Sequence, residues 1–519
     1  MENKLNSITI DGESLTIENI VAVARKGACV ALAPSAKEAI QRSRKWVEEI
    51  IARCDPVYGI NTGFGVFSEQ IIASEDSAKL SRNLILSHAV GTGRPLEKEI
   101  VRAAILVRAN TLAKGFSGVR LAVVETLLDL LNKGVTPLIP SQGSLGSSGD
   151  LAPLSHLALV FTTDAQDLEE ESGLANYQGE ILSGKEAMFK ASIGRLILEA
   201  KEGLALNNGA TFSAAIAALA VFDAEILLKV ADVSLAMTLE AVMGCSAAFD
   251  ERLHHARGQV GQAYVAKVVN AITQGSSLID AYGRVQDAYS LRCAPQVQGI
   301  GWDTLGFVKN IVEIEVNAAT DNPLLFEPGI ALSGGNFHGE PIGVVMDYLG
   351  IAMAEIAAIS ERRTFRMTDG HLNADLPPML VDRLSAAGLN SGLMMPQYTA
   401  ASLVLENQVL ATPDSVHSLP TSAEQEDHNA NSMTAARHTC SIIANTAHVL
   451  AIELFTAARA LDLRIRQNPN VQLGEGTQKI FKRIRKHIAY QAGDAWWGPE
   501  IDIVRQLILD KKLELTLDC

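Results

Sequence analysis

The stretch 120–132, RLAVVETLLDLLN, puts Leu121, Val124, Leu128 and Leu131 on one stripe at helical spacing, and Gly134 and Pro137 follow as stop signals. Similar apolar patterning predicts helices over 97–114, 212–243, 304–319, 341–363, 397–410 and 433–466. Several of these exceed the usual three or four turns. None keeps a sustained a/d heptad, and no internal repeat or low-complexity linker separates them. Ahead of them, SITIDGESLTIENIVAVAR reads as a short strand, a turn at Asp11-Gly12 and a helix beginning near Ser14. The expected architecture is a bundle of long helices with a more mixed N-terminal part. Its expected divisions are 1–205, 206–470 and 471–519, the last supplying a packing helix from WWGPEIDIVRQLIL.

Composition agrees with helices and narrows the partners. The chain has 519 residues, 48% hydrophobic but only 5% aromatic, enough apolar material for a large core. A formal charge of -15 without a basic tract makes nucleic acid and an anionic membrane poor partners. Asp223, Glu225, Lys229, Asp232 and Glu240 interrupt the best membrane candidate, 212–243. No uncharged run there approaches the ~20 residues a bilayer requires. Cys29, Cys54, Cys245, Cys293, Cys440 and Cys519 are far apart and form no CxxC, which suits a reducing cytosol. No basic segment followed by an apolar run opens the chain, so a cytoplasmic location is expected. The eleven histidines show no HExxH and no paired Cys/His spacing, so no metal requirement is expected.

Polar, glycine-bearing loops interrupt the helices: VYGINTGFG, NLILSHAVGTG, ALNNGAT, QDAYSLRCAPQ, SGGNFHGE and SLPTSAEQEDHN. Functional side chains concentrate on loops held by a rigid frame. The most unusual loop is SQGSLGSSGDLAPLSHLAL, with three glycines in seven residues before a helical run. A phosphate cradle would need G-x-x-x-x-G-K-[ST], and no lysine lies between Ser141 and Leu159. A nucleophile elbow would need G-x-S-x-G, but Leu145 stands two positions before Ser147. A mobile serine loop of the fumarase type continues with Met, Pro and Lys, absent after Ser148. The remaining option is autocatalytic. The nitrogen of Gly149 attacks the Ser147 carbonyl, one water leaves to close an imidazolone, and a second from Ser148 leaves an exocyclic methylene. Asp150 then reads as the N-cap of a helix whose positive end favours negative charge beside the electrophile.

GSSGDLAPLSHLAL, with YGINTGFG, YSLRCAPQV and TDNPL, strongly resembles the methylidene-imidazolone aromatic amino acid ammonia-lyases, from about Ser14 to Arg466. The histidine-specific members are nearest. The resemblance implies an all-α fold, a long central helix bundle of the fumarase/aspartase-like type with a mixed N-terminal region. It further implies a 4-methylidene-imidazol-5-one built from Ser147-Ser148-Gly149, with no external cofactor. Where the family usually has Ala first in this triad, the chain has Ser147, a side chain that decorates the ring carbon.

The same resemblance supplies the candidate roles. Tyr58 is the base that removes the β-proton, Asn208 hydrogen-bonds the imidazolone oxygen, and Tyr289 and Phe337 stand close to the electrophile. Arg292 clamps the substrate carboxylate, with Gln286 and Gln425 as polar neighbours. Ser87 and His88 face the substrate side chain, and Glu426 stands where phenylalanine and tyrosine lyases usually carry glutamine. A carboxylate favours a polar imidazole and is costly beside a phenyl ring. SGGNFHGEP and ISERR also look histidine-type, whereas NANSM after His428 departs from the usual run. Taken alone, each residue has an ordinary alternative: a turn tyrosine, an ion-paired arginine, an Asn-Gly turn, a core phenylalanine or a structural histidine.

The expectation is a homotetramer with sites shared among subunits that takes L-histidine to trans-urocanate and ammonia. Its rivals are a tyrosine or phenylalanine ammonia-lyase, a 2,3-aminomutase on the same scaffold, and a catalytically silent oligomeric scaffold.

Overall fold

The computed structural model describes residues 7–53 and 56–515; Cys54 and Cys519 lie outside the described residues. Helices dominate, and the expected all-α class holds. Most strands precede residue 200 and form small two- or three-stranded sheets, such as Ile8–Ile10 beside Val30–Leu32.

Most predicted helices lie close to their expected bounds: Lys98–Ala113, Leu121–Lys133, Thr211–Ala241, Glu340–Thr368, Met394–Leu410 and Ser432–Gln467. The C-terminal packing helix is Trp497–Leu509. Two starts differ. The first helix is Ile17–Lys26, capped by Thr16 in a reciprocal box with Asn19. Ser14 instead belongs to the turn, where Asp11 accepts from the backbone of Glu13 and Ser14. The helix expected at 304 starts at Ala294, in Ala294–Glu315. Its opening turns carry Gln298, fully buried, which donates to Asp232 at 2.7 Å and so breaks the apolar periodicity.

The chain divides into two compact units. The first is Met1–Phe222, Lys309–Asp347 and Pro413–Arg437; the second is Asp223–Val308, Tyr348–Thr412 and His438–Cys519. All but the boundary after Thr412 fall inside long helices, so no composition shift marks those.

In the first unit, Ser77–His88 packs against both Leu151–Phe161 and Glu202–Asn207. That arrangement gathers the C-terminal ends of two helices around the start of the third. Lys98–Ala113 lies between Ile17–Lys26 and Leu121–Lys133 and is buried nearly all round. It therefore carries charge inward only where backbone carbonyls receive it. Arg102 donates to the carbonyls of Val23 and Leu131, and Arg108, 0% exposed, donates to those of Ala205 and Asn208.

The second unit is organised around a buried ion pair. Arg363 and Glu453 are both fully buried, with Nη2 of the arginine 2.8 Å from the carboxylate. Thr238 and Ser360 donate to the same carboxylate at 2.8 and 2.6 Å, and Gln298 accepts from Arg363 at 3.0 Å. These partners satisfy both charges, the condition for burying them. ISERR, which ends at Arg363, thus serves the scaffold here.

Glu340–Thr368 and Ser432–Gln467 are long and apolar enough to cross a bilayer by length and composition, unlike the 212–243 stretch favoured by the sequence. Most of each apolar window is buried inside the protein.

Removing one partner of the buried pair leaves an uncompensated charge. Arg363→Met is expected to cost about 3–5 kcal/mol, read as a lowered urea midpoint, and Arg363→Met with Glu453→Met to recover most of it. A double variant no more stable than the single one would contradict this.

Candidate active site

The glycine-rich loop is held by backbone rather than by side chains. Gly149 and Gly209 form an isolated parallel bridge. Gly209 N donates to the Ser148 carbonyl at 3.1 Å, and Asp150 N donates to the Gly209 carbonyl at 2.9 Å. At Gly149 φ is +83°, and a Cβ there would lie 2.1 Å from the Gly209 carbonyl carbon, so no side chain fits. Gly146, at φ +72°, leaves room for Ser432 and Ala430, whose Oγ and Cβ would stand 2.6 and 3.2 Å from an added Cβ.

The Ser148 carbonyl receives a second donor, Asn208 Nδ2, at 2.6 Å. Asn208 itself is oriented from behind, because the buried Arg108 Nη2 donates to its carbonyl at 2.7 Å. Two N–H groups thus converge on one oxygen, the arrangement that stabilises developing negative charge. Asp150 is the N-cap residue of Leu151–Phe161, as expected, but its side chain makes no capping bond. Its fully buried carboxylate accepts instead from Ser213 N, Ser213 Oγ and Ser144 Oγ at 2.8, 2.9 and 2.7 Å. Burial pushes its pKa up and the serine donors pull it back. Asp150 therefore ties the loop to the start of Thr211–Ala241.

A cavity of about 1130 Å³ opens over this turn, within the first unit. That is slightly above the ~300–1,000 Å³ usual for small-molecule sites. Tyr58, Ser147, Ser148, Asn208 and Phe337 line it, as do Ser87, His88, Gln425 and Glu426. Gly149 lies beneath, in the bridge. Gln286, Tyr289 and Arg292 belong to the second unit and are not among the lining residues. There Tyr289–Arg292 is a single helical turn. Arg292 stacks over the Tyr289 ring at 4.6 Å, and its Nε donates to the Asp287 carbonyl at 2.8 Å.

Opposite the turn stands Glu426. Its backbone pairs with Thr421 in both directions, at 2.8 and 3.2 Å. Ser147 Oγ donates to Oε2 at 2.7 Å and Ser148 Oγ to Oε1 at 2.6 Å. Burial raises the Tyr58 pKa above its usual 10.0, and the Glu426 charge adds to that, against the Gly65 N–H. Burial lowers that of His88, outweighing Glu426 and keeping the imidazole neutral above pH 6.5. Its Nδ1 is 3.0 Å from Ser87 Oγ.

Several participants were not singled out in the sequence. The N–H of Gly209 belongs to a residue with no side chain to flag it. Arg108 sits mid-helix and looks like any helix arginine. His338 and His428 line the cavity as a stacked pair, ring centres 5.8 Å apart, and each lay inside a quoted motif. The divergent NANSM run proves structural: Asn429 and Asn431 bond the 414–419 loop, and Ser432 meets Ser213. Among the described residues no group of three or more His, Cys, Asp or Glu could hold a metal ion.

The sequence matches the aromatic amino acid lyase family model over residues 15–486, nearly the whole chain. The chain belongs to the aromatic amino acid lyase family. Among its relatives is the histidine ammonia-lyase of Caldanaerobacter subterraneus subsp. tengcongensis, 48% identical, with 99% of this chain and 98% of that protein aligned. Similar solved structures include a histidine ammonia-lyase from Trypanosoma cruzi, with TM-score 0.89 and 37% identity over 98% of this chain and 94% of that one. They also include a tyrosine aminomutase from Streptomyces globisporus, with TM-score 0.90 and 32% identity over 98% and 97%. The lyase scaffold is thus common to eliminating and mutase relatives.

Two outcomes test this geometry. Gly149→Ala is expected to break the bridge, so that the Gly209 and Asp150 amides exchange hydrogen at least about tenfold faster; unchanged exchange would contradict it. Glu426→Gln removes a negative charge facing Tyr58, so the Tyr58 titration, followed by ultraviolet difference against Tyr58→Phe, should move to lower pH. A shift upward, or none, would refute that coupling.

Proposed function

We propose that the chain eliminates ammonia from L-histidine to give trans-urocanate, using a methylidene-imidazolone formed from Ser147-Ser148-Gly149. The observation that carries the reading is the carboxylate of Glu426, hydrogen-bonded to the hydroxyls of a turn whose Ser148 carbonyl oxygen already receives two N–H donors. The turn fits the group: Gly149 leaves no room for a Cβ, and Asn208 and Gly209 face the oxygen the ring would keep. When formed, the group supplies the electrophile that makes ammonia a leaving group. Asn208 and Gly209 hold negative charge on that oxygen, and Arg108 keeps Asn208 aimed at it.

Tyr58 is the proposed base for the β-proton. Its raised pKa keeps it a neutral phenol at rest, so removing the proton requires the phenolate and activity should climb into the alkaline range. Glu426 and the neutral His88, steadied by Ser87, accept and donate at the imidazole. Phe337 packs at the ring, and Gln425 adds a polar neighbour. Among the described residues no lysine or arginine lines the cavity, so the substrate carboxylate needs a clamp from elsewhere. Arg292, with Tyr289 and Gln286, is proposed to supply it from another subunit of a homotetramer. Tyr289 is 70% exposed and Arg292 is already fixed by the Asp287 carbonyl, as a residue presented to a partner would be. A cytoplasmic location suits these widely spaced cysteines.

Purified protein offered L-histidine, L-tyrosine and L-phenylalanine separately should produce a conjugated acrylate, seen in ultraviolet absorbance, with histidine alone. The peptide spanning Ser147-Gly149 should be two waters lighter than its sequence. Turnover of tyrosine or phenylalanine instead would overturn the substrate, and an intact peptide mass would overturn the mechanism.

A further inference from the structure

Among the described residues the Glu426 carboxylate accepts hydrogen bonds from two hydroxyls and from nothing else: Ser147 at 2.7 Å and Ser148 at 2.6 Å, one on each oxygen. No lysine or arginine among them pairs with it. Those hydroxyls have different fates under the function proposed above. Ring closure joins Gly149 N to Ser147 C and expels the Ser147 carbonyl oxygen as water. The second water takes the Ser148 hydroxyl together with its Cα hydrogen. No oxidant is needed, and the Ser147 hydroxyl survives as a substituent on the ring carbon.

We infer that Ser147 is a positioning residue for substrate recognition: its hydroxyl holds one oxygen of Glu426 and leaves the other for the imidazole N–H of the substrate. The inference rests on the proposed lyase reading. Ser147 is only 4% exposed, so its hydroxyl has no ready exchange with bulk water and its bond to Glu426 is retained. A half-buried carboxylate that lost both donors would swing toward solvent, which spoils an acceptor for imidazole. Maturation thus converts a doubly satisfied carboxylate into one with a single vacant oxygen. That vacancy faces the cavity, because Ser148, whose hydroxyl had filled it, lines the cavity.

The test compares the full-length protein with Ser147→Ala and Ser147→Thr, using imidazole-4-propionate and 3-phenylpropionate as unreactive probes in calorimetry. Ser147→Ala should keep the two-water mass deficit yet bind the imidazole probe about five- to tenfold more weakly, with phenylpropionate affinity unaltered. Its KM for histidine should rise more than its kcat falls, and Ser147→Thr should bind the imidazole probe nearly as the parent does. In a Glu426→Gln background the Ser147→Ala effect should vanish, because the two changes remove one interaction. Equal weakening of both probes, an unchanged imidazole affinity, additivity with Glu426→Gln, or loss of the mass deficit in Ser147→Ala would each overturn the positioning role. A parent protein lacking the mass deficit would instead sink the lyase reading itself.

Discussion

The backbone bridge between Gly149 and Gly209 is the constraint on which the site depends. Two chain segments meet there with no side chain between them, closer than any Cβ would allow. Such an approach is costly unless every polar group it buries is paired. Two backbone bonds supply that pairing here: Gly209 N donates to the Ser148 carbonyl and Asp150 N to the Gly209 carbonyl. Asp150 ties one segment to Ser213, and Arg108 ties the other to the helix Lys98–Ala113. Both tethering groups are ionisable and fully buried, Arg108 so deeply that its pKa falls to about 10. Burying charge this way stabilises little on balance, but it gives the two segments a single register. An oxyanion site needs that register, since N–H donors act strongly only when already aimed.

Much of this was legible, and the illegible parts share a cause. Long apolar periodicity located the helices within a few residues because burial and helical spacing coincide there. Periodicity failed where a polar side chain is buried by design, as at Gln298, or where a side chain serves a turn, as at Ser14. The side chains of the site came from motif resemblance, and the structure gathers Tyr58, Ser87, His88, Asn208, Phe337, Gln425 and Glu426 around the turn. Sequence reading placed Asp150 at the cap but missed the partners of its carboxylate, because an acid preceding a helix looks like a cap whichever way its carboxylate points. It also could not see the Gly209 amide or Arg108, whose parts are played by backbone and by carbonyl contacts. The spread of the sequence candidates over two units, with Gln286, Tyr289 and Arg292 in the second, has no signature in local spacing.

The cavity has two chemical ends, and they answer different questions. In the proposed reaction the Ser148 end serves charge developing on the Ser148 oxygen, through two N–H donors, and proton removal by Tyr58, chemistry suited to any amino acid of the right size. Mutases and lyases with TM-scores near 0.90 occur together among the structural relatives, as expected if that end is the shared part. At the Glu426 end the groups are Ser87, His88 and a carboxylate. A phenyl ring would strip water from that carboxylate without offering a donor, at a cost of a few kcal/mol. A phenol offers a donor but on a longer ring. Before any maturation Glu426 stands within hydrogen-bonding reach of Ser148 itself, at 2.6 Å, so the room between the acid and the reacting position is short. A five-membered ring with an N–H at its edge offers that carboxylate the donor it accepts, which is why, in the proposed reading, the polar end of the cavity argues for imidazole.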